Sequence, residues 1–413
     1  MTGPNQKDLR RRLSRLGRAK RSTSDSSKMA PQHVRGLPPG EQLHTPSGTS
    51  YRIESLFAQQ HIHGEHPLHQ LLTLSGSLAA EIARQPEFQD LDLSRLAFID
   101  TETTGLAGGA GTLAFLVGVG TFTPDGFRLR QYFLRDPAEE QSMLEGLLED
   151  LTSAQGFVTY NGRAFDLPLL DARYTIALRR RLALNQRPHL DLLFPARNLW
   201  RRSLPDCRLL TVEKHILGVR RTGEDVPGAW IPRMYQDYLR TGNAADMQRV
   251  IYHNEVDILS LVGLTAQILN RHTDGQREQL TEAETLALAR WHQTSGRVAA
   301  AEAAYRRVIT AQDAALQREG LRRYTGLLKQ QGRKKEALPG WETWHTIDPT
   351  DPQPCIELAK YYEWEVKDLQ NAQTWTLEAM NSLSHWPQGW RRDQAWEAIE
   401  HRLRRLKRKQ EAA

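Results

Sequence analysis

Four acidic residues have the type and spacing to hold divalent cations: Asp100 and Glu102 in LAFIDTETTGL, Asp166 in TYNGRAFDLPLL, and Asp257 in VIYHNEVDILSL. The apolar run at 96–99 that leads into Asp100 has the character of a strand, whose side chains alternate between faces. Asp100 and Glu102 therefore point the same way. Two carboxylates side by side with no basic residue between them repel each other, and a divalent cation is the usual means of keeping both ionised. Asp166 follows the apolar stretch 156–160 and precedes a helix with Pro168 in its first turn, so it belongs at a strand-to-helix junction. Asp257 lies on a helix expected over 244–270, and His253, four residues earlier, shares its side. Hard oxygen ligands of this kind suit Mg²⁺ or Mn²⁺ better than zinc, for which the chain offers no cysteine pair.

The joint pattern resembles the DEDD (DnaQ-like) superfamily of 3′-to-5′ exonucleases. Its first motif is Asp-x-Glu, here continuing as Thr-Thr-Gly-Leu. Its second, an Asn shortly before Phe-Asp, is met by Asn161, Phe165 and Asp166, and its third by the stretch 252–257. Over about 40 to 270, including the tract DVPGAWIP, the chain is similar to the YprB-type ribonuclease-H-like proteins of bacteria. The resemblance implies a metal-dependent nuclease acting on single-stranded DNA or RNA with two Mg²⁺ or Mn²⁺ ions. Asp100, Glu102, Asp166 and Asp257 would be the metal ligands, and Thr103, Thr104, Gly105, Leu106, Asn161 and Phe165 the substrate-binding positions.

One position departs from the family. The tyrosine branch places its water-orienting residue four positions before the last Asp, and the histidine branch places its own five before; here His253 stands at the first and Tyr252 at the second. At about 100° per residue, a separation of four leaves His253 roughly 40° from Asp257 around the helix, while Tyr252 is roughly 140° away. Imidazole also titrates near neutrality. His253 is the expected base, with Tyr252, or metal hydroxide acting without a protein base, as alternatives.

The elements that must position these residues follow from periodicity. Residues 96–101, 112–122 and 127–134 read as three consecutive strands, the last two joined by the turn signal Thr-Pro-Asp-Gly. Alternation then sets in: a helix at 137–151, a strand at 156–160, a helix at 167–182 and a strand at 189–193. A meander followed by α/β alternation is the ribonuclease-H-like order, a mixed central sheet flanked by helices with the first of these strands interior. The glycine-rich loop 105–111 could bring backbone N–H groups to a terminal nucleotide, or serve only as a turn. His61, His63, His66 and His69 are expected in a partly buried loop rather than as a metal set. Asp191 reads as a plain strand-end residue or a supporting carboxylate. Arg197, Trp200, Arg201 and Arg202 read as a nucleic-acid track or a solvated helix face.

The chain has 413 residues and a formal net charge of +6. The two ends, 1–22 and 391–413, hold 16 of its 55 Lys and Arg but 5 of its 49 acids, so the body is mildly acidic. Residues 1–40 read as a disordered basic arm, 41–275 as the nuclease domain with its core at 94–270, and 391–413 as a basic helix or tail. Between 281 and 390, Ala301, Ala337 and Ala372 recur at spacings of 36 and 35. Gly296 and Gly332 precede the first two, and Tyr305 and Trp341 follow them. This is similar to tetratricopeptide repeats, an all-α array that could recruit a protein. No stretch is apolar for long enough to span a bilayer, and two cysteines, Cys207 and Cys355, in different units suit a reducing compartment, by default the cytoplasm. A noncatalytic nucleic-acid- or protein-binding adaptor and a structure-selective endonuclease are the alternatives to the exonuclease.

Overall fold

The computed structural model describes residues 36–105, 111–222, 225–273 and 278–412. Leu106, most of the glycine-rich loop and the basic arm through residue 35 lie outside the described residues. Residues 36–40 pack on the body of the protein, where the Tyr51 hydroxyl donates to the Pro38 carbonyl at 2.6 Å.

The chain begins with a hairpin that periodicity does not announce, β1 (Glu41–Thr45) and β2 (Gly48–Phe57). Its residues are mostly exposed or half-buried, so their apolar pattern is weak. A two-residue pair, β3 (Ile62–His63) and β4 (His66–Pro67), follows. The central strand is β5 (Leu96–Thr103): Leu96, Ala97, Phe98 and Ile99 are each 0 % exposed, as expected of a strand covered on both faces. β6 (Ala114–Thr123) and β7 (Gly126–Phe133) complete an antiparallel meander with β5. β8 (Gly156–Thr159) and β9 (His189–Asp191) extend the other side in parallel. The seven-stranded order is β1-β2-β7-β6-β5-β8-β9, so β5 is interior and the carboxyl ends of β5, β8 and β9 share one edge. This mixed sheet flanked by helices is the ribonuclease-H-like fold expected from the residue pattern.

Each face of the sheet carries its own apolar core. Phe98 joins Val158, Leu190, Ile258 and Leu261 on one side, while Ala97 and Ile99 join Leu144, Leu167 and Tyr174 on the other. The helices Glu140–Ser153 and Asp166–Leu178 belong to the second side. The long helix Ala245–Arg271 crosses β5, β6 and β7 and contributes to both cores. Alternation along β5 therefore places Asp100 and Glu102 on the face of Phe98, and Thr101 on the face of Ile99.

The rest of the described chain is helical. Three antiparallel pairs follow one another: Glu282–Thr294 with Val298–Val308, Ala314–Gln330 with Lys334–Ile347, and Gln353–Tyr361 with Leu369–Ser384, closed by Trp390–Glu411. Ala301, Ala337 and Ala372 are each fully buried. Gly296 and Gly332 take positive φ between the helices of the first two pairs, and Lys367 takes it in the third. A lysine held in a conformation that favours glycine explains why the third unit is hard to recognise in sequence. The closing helix turns part of its basic surface inward: Arg402, Arg405 and Lys409 all bond the buried Glu363 carboxylate.

Candidate active site

The carboxylates expected to act together are gathered at the carboxyl edge of the sheet, but from two directions. Asp100 and Glu102 leave the end of β5 on the side of the long helix, which presents His253 and Asp257 one turn apart. The closest potential ligand set among the described residues is Glu102, His253 and Asp257, whose ligand atoms lie within 4.8 Å of one another. His253 Nε2 is 3.5 Å from Asp257 and 3.9 Å from Glu102. Asp166, the first residue of its helix, arrives from the opposite face and accepts a 2.6 Å hydrogen bond from the Thr101 hydroxyl. Neither Asp100 nor Asp166 is in that tightest set, so His253 stands where a purely carboxylate ligand set was anticipated.

Burial and mutual repulsion dominate the electrostatics. Asp100 and Glu102 are recessed, and desolvation together with their acidic neighbours raises the pKa of each well above the carboxylate range. Burial also pushes Asp166 up to about 6, against the Thr101 hydrogen bond. Asn254 steadies Asp100: its amide donates to Asp100 Oδ2 at 2.8 Å, and its own oxygen accepts from Gln131 Nε2 at 2.9 Å. Asp100, Gly118 and Gln131 stand in register on adjacent strands. A Cβ on Gly118 would come within 2.3 Å of Asn254 Oδ1, so glycine is what admits the amide.

A cation from an unanticipated place supports the other flank. Arg221 donates to Glu213 at 2.5 and 2.8 Å, also bonds Asp257, and lies 3.3 Å from Asp225. Its burial opposes the charge, but the bonds to Glu213 and the charges of Asp257 and Glu213 outweigh burial and hold the guanidinium ionised. Glu213 is fully buried, and desolvation raises its pKa despite Arg221. Its second oxygen accepts from Ser260 Oγ at 2.9 Å, which in turn meets His63 Nε2 at 2.8 Å. His63 is thereby committed to the core, His66 meets Gln267, and His69 meets the Gln59 carbonyl.

Asp225, the first residue of the DVPGAWIP tract, lies 2.7 Å from His253 Nδ1. A carboxylate accepts only, so we assign the Nδ1 proton to this bond and leave Nε2 with its lone pair facing Glu102 and Asp257. Arg221 Nη1, 3.0 Å from the same nitrogen, then acts through its charge. Tyr252 packs against the apolar core that contains Phe98.

Thr103 Oγ1 donates to the Gly105 carbonyl at 2.7 Å and Thr104 Oγ1 accepts from the Leu113 N–H at 3.0 Å, so both close the base of the glycine-rich loop. Asn161 takes φ of 68°, and Phe165 is exposed beside Asp166. Asp191 is more than a strand end: it accepts from the N–H groups of Asn161, Arg163 and Leu193 at 2.8, 3.1 and 3.1 Å, fixing the turn that delivers Asp166. Trp200 is buried and donates to Glu284 at 2.8 Å, so it ties the sheet domain to the helices instead of joining a surface track.

A family model described as the RNase_H superfamily matches residues 97–269, which include all four carboxylates. The Bacillus subtilis (strain 168) protein YprB is 34% identical over 290 residues, covering 68% of this chain and 67% of that protein.

Proposed function

The chain belongs to the family of YprB within the RNase_H superfamily, and from that premise we propose that it is a metal-dependent nuclease, a 3′-to-5′ exonuclease on single-stranded nucleic acid. Hydrolysis of nucleic acid is the general activity of the superfamily. The observation that carries the reading is the set of recessed acids at the end of β5, which raise one another's proton affinity beside an imidazole with a free Nε2. The donor set fits a divalent cation, because hard oxygens crowded in a poorly solvated site are relieved by one. Asp100, Glu102, Asp166 and Asp257 would hold Mg²⁺ or Mn²⁺. Two such ions would supply Lewis-acid stabilisation of the phosphate and lower the cost of ionising the attacking water.

The chain's own groups do the rest. His253 Nε2 orients the water and takes its proton as the oxygen attacks phosphorus and the bond to the leaving 3′ oxygen breaks. Asp225 keeps the ring in the tautomer that allows this and stabilises the imidazolium that forms. Arg221, Asn254 and Thr101 hold Asp257, Asp100 and Asp166 in place. Thr103, Thr104, Gly105, Leu106, Asn161 and Phe165 form the expected bed for the terminal nucleotide. The helical pairs after 281 are read as tetratricopeptide-like and as the place for a protein partner. The two cysteines are unpaired, which supports a reducing compartment, taken here as the cytoplasm.

The Arg221–Asp257 bond favours a second reading, because an internal cation there substitutes for an added one. Under it the protein is an adaptor that binds nucleic acid without cutting. Purified protein incubated with 5′-labelled single-stranded DNA, single-stranded RNA and duplex separates the two. The nuclease gives a ladder shortening from the 3′ end with Mg²⁺ or Mn²⁺, absent with EDTA or in Asp100→Ala. Binding without cleavage under every condition establishes the adaptor, and internal cuts replace the exonuclease by an endonuclease.

A further inference from the structure

Between the sheet domain and the helical pairs runs a chain of connected recesses with a charge unlike that of the acidic site. The largest, about 520 Å³, shares Arg163 and His189 with a second of about 400 Å³. It shares Phe194, Asn198 and Arg290 with a third of about 220 Å³. Arg84 and Arg163 stand at one end, Arg197, Arg201 and Arg202 project from the helix Leu193–Trp200 and the turn after it, and Arg290 and Arg323 come from the helical pairs. The acids along the way do little to neutralise them. Asp191 spends its oxygens on three backbone N–H groups, Glu319 serves Arg322 and Arg323 closely and Arg202 only at 4.0 Å, and Glu87 lines the second recess beside Arg163 and Arg187. Among the described residues, none of the ion pairs involves Arg84, Arg163, Arg197, Arg201 or Arg290. Burial and the charges of Arg323 and Arg202 lower the pKa of Arg290, with Glu319 opposing the shift.

We propose that this arginine-lined cleft is a binding track for single-stranded nucleic acid, leading from the carboxylate site to the helical pairs. Its position relative to the site is set by the sheet. Arg163 lies in the turn between β8 and Asp166, and β9, whose end opens the cleft, is two strands from β5, or about 10 Å away. Arginine suits the partner because phosphate oxygens accept its planar fork of N–H groups. An aromatic ring marks the strand as unpaired. Phe194 is 58 % exposed within the cleft, and a base stacked inside a duplex has no free face to offer it. The track rests on the nuclease reading for its direction alone, and its binding is measured with cleavage switched off.

The test uses the full chain in EDTA and a fluorescent single strand of about 20 nucleotides, longer than the roughly 4–16 that one groove covers. Anisotropy gives affinity as a function of salt. Arg197→Glu with Arg201→Glu should weaken binding at low salt by about tenfold or more. It should also make the slope of log affinity against log salt shallower by about 1.4, two phosphate contacts at roughly 0.7 each. Arg197→Lys with Arg201→Lys should keep the slope, and Phe194→Ala should lose about tenfold in affinity with the slope unchanged. Melting curves identify any variant that has not folded, and the lysine pair and Phe194→Ala then decide. Wild-type affinity and slope in the charge-reversed protein overturn the track, as does equal weakening for a blunt duplex or failure of the wild type to bind single strands. Absence of cleavage with metal would instead remove the nuclease reading and leave the EDTA measurement standing.

Discussion

Arg221→Met tests whether the buried cation holds the site together. The Arg221 side chain is 7 % exposed, and its principal partner Glu213 is at 0 %. Without the guanidinium, Glu213 keeps only the Ser260 hydroxyl among its present partners, while Asp257 loses its countercharge and Asp225 a neighbour. Removing one member of a buried ion pair costs about 3–5 kcal/mol, because the other charge is left uncompensated. Glu213 can escape part of this by protonating, since burial already raises its pKa. A carboxyl whose folded pKa is raised contributes stability that is present below its unfolded pKa and lost as pH rises through the folded one. The cost should therefore be small near pH 5 and reach about 3 kcal/mol or more near pH 7, that is, about 10²-fold less protection. Amide hydrogen exchange of peptides covering 96–103 and 245–271, in EDTA at both pH values, reads it directly. Adding Glu213→Gln removes the stranded charge and should restore about 2 kcal/mol at pH 7, a coupling that a double-mutant cycle isolates. A single variant as protected as wild type at both pH values, or a double variant no better than the single, refutes the reasoning.

The metal-free protein should lose stability as pH rises from about 4 through about 6 and beyond, because the raised pKa values of Asp166, Asp100 and Glu102 make their ionisation unfavourable in the folded state. Mg²⁺ or Mn²⁺ at about 100 times its Kd should return roughly 2.7 kcal/mol, with a larger melting shift at pH 7.5 than at pH 5; the opposite order in melting scans counts against a carboxylate metal site. His253→Ala should lower turnover by about 10² or more while single-strand binding persists, and Tyr252→Phe should stay near wild type; the reverse result in single-turnover assays transfers the base role to Tyr252. Asp225→Asn, which disturbs the tautomer at Nδ1, should cost about tenfold or more in turnover, and an unchanged rate removes Asp225 from the mechanism. Gly118→Ala drives a methyl into Asn254 and should cost about 1–3 kcal/mol and weaken metal binding by about 10–100-fold, measured by calorimetric titration.

Local periodicity accounts for the parts of the site that lie on single elements. Alternation along 96–103 put Asp100 and Glu102 on one face, and a spacing of four put His253 beside Asp257, because the geometry of one strand or one helix determines both. The order of strands from 96 to 191 was legible for the same reason, since their buried faces demand apolar residues at regular intervals. The hairpin β1–β2 was not, because its mostly solvated faces leave little apolar pattern. Signals for some supporting residues were present without being decisive. Asn254 stands three residues before Asp257, Gly118 is a glycine inside a strand, and Asp225 opens a tract that the family resemblance already includes.

Local pattern along the chain thus accounts for the faces the acids occupy and the order of the elements that carry them. Their neighbours come from packing between distant segments. Arg221 lies 32 residues from His253, Asp191 is 30 residues from Asn161, and Asn254 is 154 from Asp100. Such contacts are made by loops and crossing helices whose courses no repeating pattern encodes. They form because a buried charge must find a partner, and which partner reaches it depends on how the whole sheet is covered. The arginine cleft has the same origin: its cations come from separate segments between 84 and 323, and packing the helical pairs against the sheet domain makes them one surface.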